Sequence, residues 1–261
     1  MISIVICSID TRKFAAVSEM YARLLSGHSH EIIHIPDARG LCEGYNRGFA
    51  QSRGEMVIFS HDDVEFRAPD FGTRLLEHMS HCDVAGVGGT DKLCGGDWSV
   101  GGPPHIYGQV IHSGTDPGYY RVMVYSVPTR RIDGMQALDG VFLCCRREVV
   151  QRVAFDQTTF AGYHMYDVDF TYRAYQAGYR LSVCADLDGV HAAVSKYDES
   201  WASEERKFRA KHSATLAPIP LRWQQLAFVV APTIGEALEI THPAHWRDTD
   251  DSAPAQKARR S

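Results

Sequence analysis

The sequence predicts an α/β protein whose first third is a Rossmann-like half. Three observations carry that expectation. A β-branched run, ISIVIC, opens the chain at Ile2–Cys7; strand-like and helix-like segments alternate through Ser60; and acidic residues fall just beyond the strands, at Asp10, Asp37 and Asp62-Asp63. Short apolar runs separated by amphipathic helices favour buried parallel strands with right-handed crossovers. Such sheets bind ligands beyond the carboxyl ends of their strands, so these acids are expected on one rim.

Ile2–Cys7 reads as the first strand. Phe14, Val17, Tyr21, Leu24 and Leu25 then recur at helical spacing, and Gly27 is expected to cap that helix. Glu31–Ile35 is the second strand, Leu41–Ser52 the second helix and Glu55–Ser60 the third strand. A helix presenting Phe71, Leu75, Leu76 and Met79 leads to a strand at Val84–Val87. From Gly88 to Gly134 the chain is rich in Gly, Pro and aromatics, with weak strand signals at Tyr107–His112 and Tyr120–Val127. Loops and irregular strands over the active face are expected there, mobile without ligand. A strand at Gly140–Cys145, a helix beginning near Arg146, a helix over Asp167–Ala177 capped by Gly178, and a strand at Tyr179–Ala185 complete the core. Beyond His191, Trp201–Lys211 reads as a surface helix and Trp223–Ile240 as a more apolar helical segment. The domain expectation is a catalytic unit over 1–195, a helical extension over 196–246 and a disordered tail over 247–261, which ends in KARRS.

Composition narrows the function classes. The chain has 261 residues, 44% hydrophobic and 23% charged, within the range of folded enzymes. A formal charge of -5 supplies no general cationic field for phosphate backbones, so no nucleic-acid partner is expected. Seven cysteines, with no C-x-x-C pair, read as reduced thiols, Cys7 and Cys184 acting as small hydrophobes. Met1–Cys7 lacks a signal-peptide pattern, and the apolar stretch near Leu226–Ile234 is about half a membrane span and contains Pro232. The expected location is the cytoplasm, with a peripheral contact at the inner membrane face left open.

The chemistry concentrates in two acidic clusters. In FSHDDV, Asp62-Asp63 follows an apolar strand, a placement suited to a hard divalent cation that keeps positions open for phosphate oxygens. A turn whose acids cap a following helix accounts for the same string. In YDVDF, Asp169 and Arg173 are spaced for a surface salt bridge, which leaves Asp167 in the first helical turn. There the helix dipole favours the ionised form that a general base requires, although simple charge complementarity explains the placement too. His191 follows a predicted strand and reaches the same rim, where an imidazole beside carboxylates suits Mn²⁺ better than Mg²⁺.

Over Ile2 to about His191 the sequence resembles the nucleotide-sugar glycosyltransferases of family 2. ISIVICSID resembles the family's first strand, GYNRGFAQSRGEMVIFSHDDV its helix, strand and DxD succession, and LDGVFLCCRREVV with FAGYHMYDVDFTYRAYQAGYRL its acceptor-side segment. HDD and YDVDF most resemble a streptomycin-biosynthesis-like subgroup. The resemblance implies a GT-A fold with a mixed central sheet and a metal-dependent, inverting transfer from a UDP-, dTDP- or GDP-sugar to a hydroxyl of a glycan or glycoconjugate. It implies Asp167 as catalytic base, with Ser8, Asp10, Asp37, Asn46, His61 and Asp62 on the donor. Asp63, His191 and His61 would hold Mn²⁺ or Mg²⁺, and Asp139, Gly140 and Tyr166 would shape the acceptor side. Three positions depart from the pattern: His61 replaces the first DxD acid, Tyr166 the first acid of the later pair, and Pro36-Asp37 stands for the acidic turn after the second strand.

Two other readings fit parts of the sequence. A sugar-phosphate nucleotidyltransferase shares a related core, but it would need a Gly-rich basic loop after the first strand, where SIDTRKF has no glycine. A catalytically silent sugar-nucleotide or glycan-binding module has no need of both acidic clusters.

Overall fold

The computed structural model describes residues 1–116, 118–126, 129–192, 197–220 and 228–242. The tail from Arg247 and the start of the apolar segment at Trp223 lie outside these residues. The N-terminal half runs β1 (Ile2–Cys7), α1 (Thr11–Leu24), β2 (His30–Ile35), α2 (Leu41–Gln51), β3 (Met56–Ser60), β4 (Val64–Phe66), α3 (Phe71–Met79), β5 (Val84–Gly86) and β6 (Gly88–Thr90). There follow β7 (Ile106–Asp116), β8 (Tyr119–Ser126), β9 (Arg131–Asp133), β10 (Ala137–Leu138), β11 (Phe142–Arg146), α4 (Arg147–Val153), α5 (Tyr166–Gln176), β12 (Leu181–Cys184) and β13 (Gly189–His191). The last described elements are α6 (Glu199–His212), β14 (Val229–Ala231) and α7 (Ile234–Ile240).

The main sheet has the order β2-β1-β3-β11-β5-β12-β9. β1 pairs parallel with β2 and β3, the expected Rossmann-like half, whereas β11 enters antiparallel between β3 and β5 and makes the sheet mixed. Side-chain alternation assigns the faces. Ile2, Ile4, Ile6, Ile58, Phe142 and Cys144 pack with Val17, Tyr21 and Leu24 of α1 and Phe71 and Leu75 of α3. Val5, Val57, Phe59, Leu143 and Cys145 face Tyr45 of α2, Val149 of α4, Phe170 of α5 and Phe208 of α6. A helix–sheet–helix sandwich results, with the carboxyl ends of β1 and β3 opening on one edge.

Several expectations are corrected. The strand signals at Tyr107–His112 and Tyr120–Val127 fall in β7 and β8, as far as Ser126, but these strands are not irregular excursions: β10-β6-β7-β13-β4 form a second sheet, and the β7–β8 hairpin extends it to β14. Buried Ile106, Val110, Ile111 and Val122 supply the apolar contacts that hold it. Among the described residues of the C-terminal apolar segment the helix is α7 alone, because Val229–Ala231 pairs with β8. α6 is no free surface helix, since Glu204, Phe208 and His212 are buried against the core. Gly27 does not cap α1, which ends at Leu24 with Leu25 as its C-cap, whereas Gly178 follows α5 with φ of +89° as its sequence position suggested. No helix among the described residues is long and apolar enough to cross a membrane. All seven cysteines are free, six of them buried. Cys7 is only half-buried and lines a cavity, but burial pushes its thiol up to about 12.

Candidate active site and metal centre

The edge of the main sheet opens into a cavity of about 540 Å³. That volume lies within the range of sites for small organic ligands. The end of β1 contributes Ser8, and the turn after β3 contributes His61, Asp62 and Asp63. Ser8 Oγ donates to Asp62 Oδ2 at 2.5 Å, so two strand ends are tied across the rim. β13 arrives by antiparallel pairing with β4, where His191 stands opposite Val64 and Ala192 N donates to Asp63 O. Pairing registers separated by over a hundred residues therefore set His191 beside Asp63.

His61, Asp63 and His191 offer ligand atoms that all lie within 4.8 Å of one another. His191 Nε2 is 3.3 Å and His61 Nδ1 3.8 Å from Asp63 Oδ1. Burial pulls the Asp63 carboxyl upward, but the His191, His61 and Lys13 side chains outweigh it and hold it below the usual carboxylate range. Burial, reinforced by the neighbouring His191, pushes His61 down and favours a neutral imidazole. His191 Nε2 is buried without a satisfactory hydrogen bond, a costly arrangement unless a further partner binds. One carboxylate and two imidazoles with such an atom fit a divalent cation that accepts nitrogen ligands. Lys13 Nζ stands 3.9 Å from both Asp62 and Asp63, guarding the same anionic edge.

The other wall is built by α5 and the turn between β10 and β11. Asp167 Oδ2 accepts from Gly140 N at 2.8 Å, and Asp139 accepts from Trp98 Nε1 and Val141 N. Gly140 permits this approach: a Cβ there would collide with Tyr166 Oη and come within 2.6 Å of Asp167 Cβ. Tyr166 Oη lies 2.6 Å from His61 Nε2, linking the acidic helix start to the histidine cluster.

Asp167 does not behave as the helix dipole alone suggests. Desolvation, then the nearby Asp139 charge, raises its pKa to about 7, and the backbone N–H groups of the helix start and Gly140 only partly offset them. A carboxylate that stays half protonated near neutrality is well matched to general-base work. Asp169 forms the expected pair with Arg173 at 2.7 Å, but it is a buried pair and not a surface one. His212 and Lys211 also engage Asp169, and with Arg173 they overcome its burial and keep its carboxyl below the usual range.

The cavity therefore brings together Ser8, His61, Asp62, Asp63, Asp139, Tyr166, Asp167 and His191. Gly140 stands behind them. Asp10, Asp37 and Asn46 are placed elsewhere: Asp10 caps α1 by accepting from Arg12 N and Lys13 N, and Asp37 pairs with Arg47 at 2.9 Å. Asn46 bonds Phe155 O and Gln157 Oε1, fastening α2 to the segment after α4. Sequence reasoning did not find Trp98 or Lys13, because no local pattern marks a side chain that reaches the site from a Gly-rich turn or from the exposed face of a helix.

A family model described as "Glycosyltransferase like family" matches residues 3–215. None of the curated proteins matches the chain. Among solved structures, GalNAc-T7 with UDP, GalNAc and Mn²⁺ is similar at a TM-score of 0.50 and 12% identity, covering 80% of this chain and 47% of that one. The mannosyltransferase PcManGT from Pyrobaculum calidifontis, in complex with GDP-Man and Mn²⁺, gives 0.49 and 11%, covering 84% and 65%. S. aureus TarS 1-349 in complex with UDP gives 0.45 and 14%, covering 83% and 67%. This chain thus spans under two thirds of the length of the first two. The fold is the GT-A arrangement expected from the sequence.

Proposed function

This chain belongs to the glycosyltransferase-like family, and from that premise we propose that it transfers a sugar, with inversion, from a nucleotide-diphosphate sugar to an acceptor hydroxyl. The observation that carries the reading is one cavity holding both a cation-competent cluster and, on the facing wall, a carboxylate with its pKa raised to about 7. UDP stands in the name of the similar GalNAc-T7 structure, and the family resemblance adds dTDP- and GDP-sugars to UDP-sugars as the donor classes to try. HDD and YDVDF support placement in the streptomycin-biosynthesis-like subgroup.

Asp63, His191 and His61 would hold Mn²⁺ or Mg²⁺, with the imidazoles favouring Mn²⁺. Once bound, such a cation supplies Lewis-acid neutralisation of the charge developing on the departing diphosphate. Asp62, oriented by Ser8 Oγ, faces the donor and accepts hydrogen bonds from its ribose. On the opposite wall the Asp167 carboxylate accepts the proton of the acceptor hydroxyl. That oxygen then bonds to the anomeric carbon as the bond from that carbon to the diphosphate oxygen breaks on the other side. Both electron pairs move in one displacement, and the configuration inverts. Gly140 N holds one Asp167 oxygen, leaving the other for the acceptor, while burial and then the Asp139 charge keep the carboxyl basic enough to take the proton. Asp10, Asp37 and Asn46, expected on the donor from the resemblance, support the frame around it in the ligand-free chain through the α1 cap, the Arg47 ion pair and the bonds to Phe155 and Gln157.

A panel of UDP-, dTDP- and GDP-sugars with Mn²⁺, scored by thermal shift and donor hydrolysis, tests the proposal. At least one donor should raise the melting temperature and be slowly hydrolysed. A silent binding module would show the shift without hydrolysis, and a protein that responds to none of the donors contradicts the reading.

A further inference from the structure

Tyr166 stands where the resembling family has an acid, and neither proton transfer nor donor binding uses it. Its ring is fixed in the core, 4% exposed and packed edge-on against Tyr45 with centroids 5.7 Å apart. Its hydroxyl reaches His61 Nε2 at 2.6 Å. The other nitrogen of that imidazole, Nδ1, faces Asp63 Oδ1 at 3.8 Å, within the cluster completed by His191. Side-chain room for this arrangement exists because residue 140 has no Cβ to displace the Tyr166 hydroxyl.

A neutral imidazole has one nitrogen that donates and one that accepts, and a metal requires the accepting lone pair. If Tyr166 donates to Nε2, the hydrogen sits on Nδ1 and His61 is closed to a cation. If Tyr166 accepts from Nε2–H, the Nδ1 lone pair points at the space shared with Asp63 and His191. A phenol can do either, whereas a carboxylate at this position would only accept. We propose that Tyr166 is a positioning residue for the metal centre: its hydroxyl accepts the His61 Nε2–H, selecting the tautomer and ring orientation in which Nδ1 coordinates a divalent cation. The inference rests on the metal reading above and deepens it. It also moves Tyr166 from the acceptor side to the donor side, so that the residue before the base and the cation share one hydrogen bond.

The test is calorimetric titration with Mn²⁺ alone, on the wild type, Tyr166→Phe, His61→Ala and the double variant. Loss of an outer partner of a metal-bound histidine typically costs about 10- to 100-fold in affinity, so Tyr166→Phe should weaken Mn²⁺ binding by that much. In the His61→Ala background the same change should have almost no effect, since its only route to the metal is gone. Wild-type affinity in Tyr166→Phe, or an equal loss in both backgrounds, overturns the assignment while leaving the metal site standing. A wild type that does not bind Mn²⁺ overturns both. Should Tyr166→Phe fold poorly, ¹⁵N spectra of the Zn²⁺-loaded wild type decide: His61 should be protonated at Nε2, and protonation at Nδ1 refutes the proposal.

Discussion

Replacing Asp167 by Asn removes the proposed base and keeps the shape that Gly140 N binds. The Asn amide cannot take the acceptor's proton at neutral pH, so transfer should fall by about 10²- to 10⁴-fold, the usual worth of a positioned base. That corresponds to about 3 to 5 kcal/mol of transition-state stabilisation. The pH profile gives a second signature. With a pKa of about 7, roughly half of the wild-type molecules carry the working carboxylate at pH 7, and about a tenth at pH 6. The wild-type kcat/KM should therefore rise through neutrality, and the residual rate of Asp167→Asn should lack that rise. Stability carries the opposite sign. A carboxyl whose folded pKa is raised stabilises the fold fully below its unfolded value, and that contribution is lost as pH climbs through the folded pKa. Wild type should lose melting temperature relative to Asp167→Asn as pH is raised from about 4 to about 7. Initial rates and thermal scans over that range, with donor affinity as a control expected to stay constant, are the assay. Near-normal transfer by Asp167→Asn would refute the assignment, and a wild-type profile flat through neutrality would refute its electrostatic basis.

Other outcomes follow from the same geometry. Asp139→Asn removes the charge that, after burial, most raises Asp167, so the rising limb of kcat/KM should move to lower pH, read from the same pH profile. Gly140→Ala pushes Tyr166 and Asp167 away from residue 140, and a displacement near 1 Å at a catalytic group is worth about 10²-fold in rate, measurable by steady-state transfer. Asp169→Asn should leave donor affinity unchanged but cost about 3 kcal/mol in chemical denaturation, because it leaves Arg173, His212 and Lys211 without the buried carboxylate they share. The destabilisation exceeds what a surface pair would give.

The N-terminal half was legible because its signals are local. β-branched runs at β1 and β3 and the 3.6-residue recurrence of Val17, Tyr21 and Leu24 say where each element lies and which side it buries. In the second sheet β7 and β8 gave weak strand signals, but their assembly was not legible, for the converse reason. β7 and β8 are interrupted by Gly108 and polar residues, and what holds them is pairing with β6, β13 and β14, partners scattered through the chain. The site divides along the same line. HDD and YDVDF announced Asp63 and Asp167, but the raised Asp167 pKa depends first on burial and then on the Asp139 charge, both created by tertiary packing. The spacing of Asp169 and Arg173 foretold their bond without foretelling its burial, since that is decided by α6 closing over them. Asp10 and Asp37 sit at strand ends as expected, yet helix capping and the Arg47 ion pair engage their carboxylates outside the cavity.

The central claim is that a cation held by Asp63, His61 and His191 binds the donor while Asp167 serves the acceptor. Its most direct test is calorimetric titration of the best donor from the panel into wild type and Asp63→Ala, each with Mn²⁺ and with chelator. Wild type should bind the donor at least about tenfold more tightly with Mn²⁺, and Asp63→Ala should show no difference between the two conditions. Equal wild-type affinity with Mn²⁺ and with chelator would contradict the account.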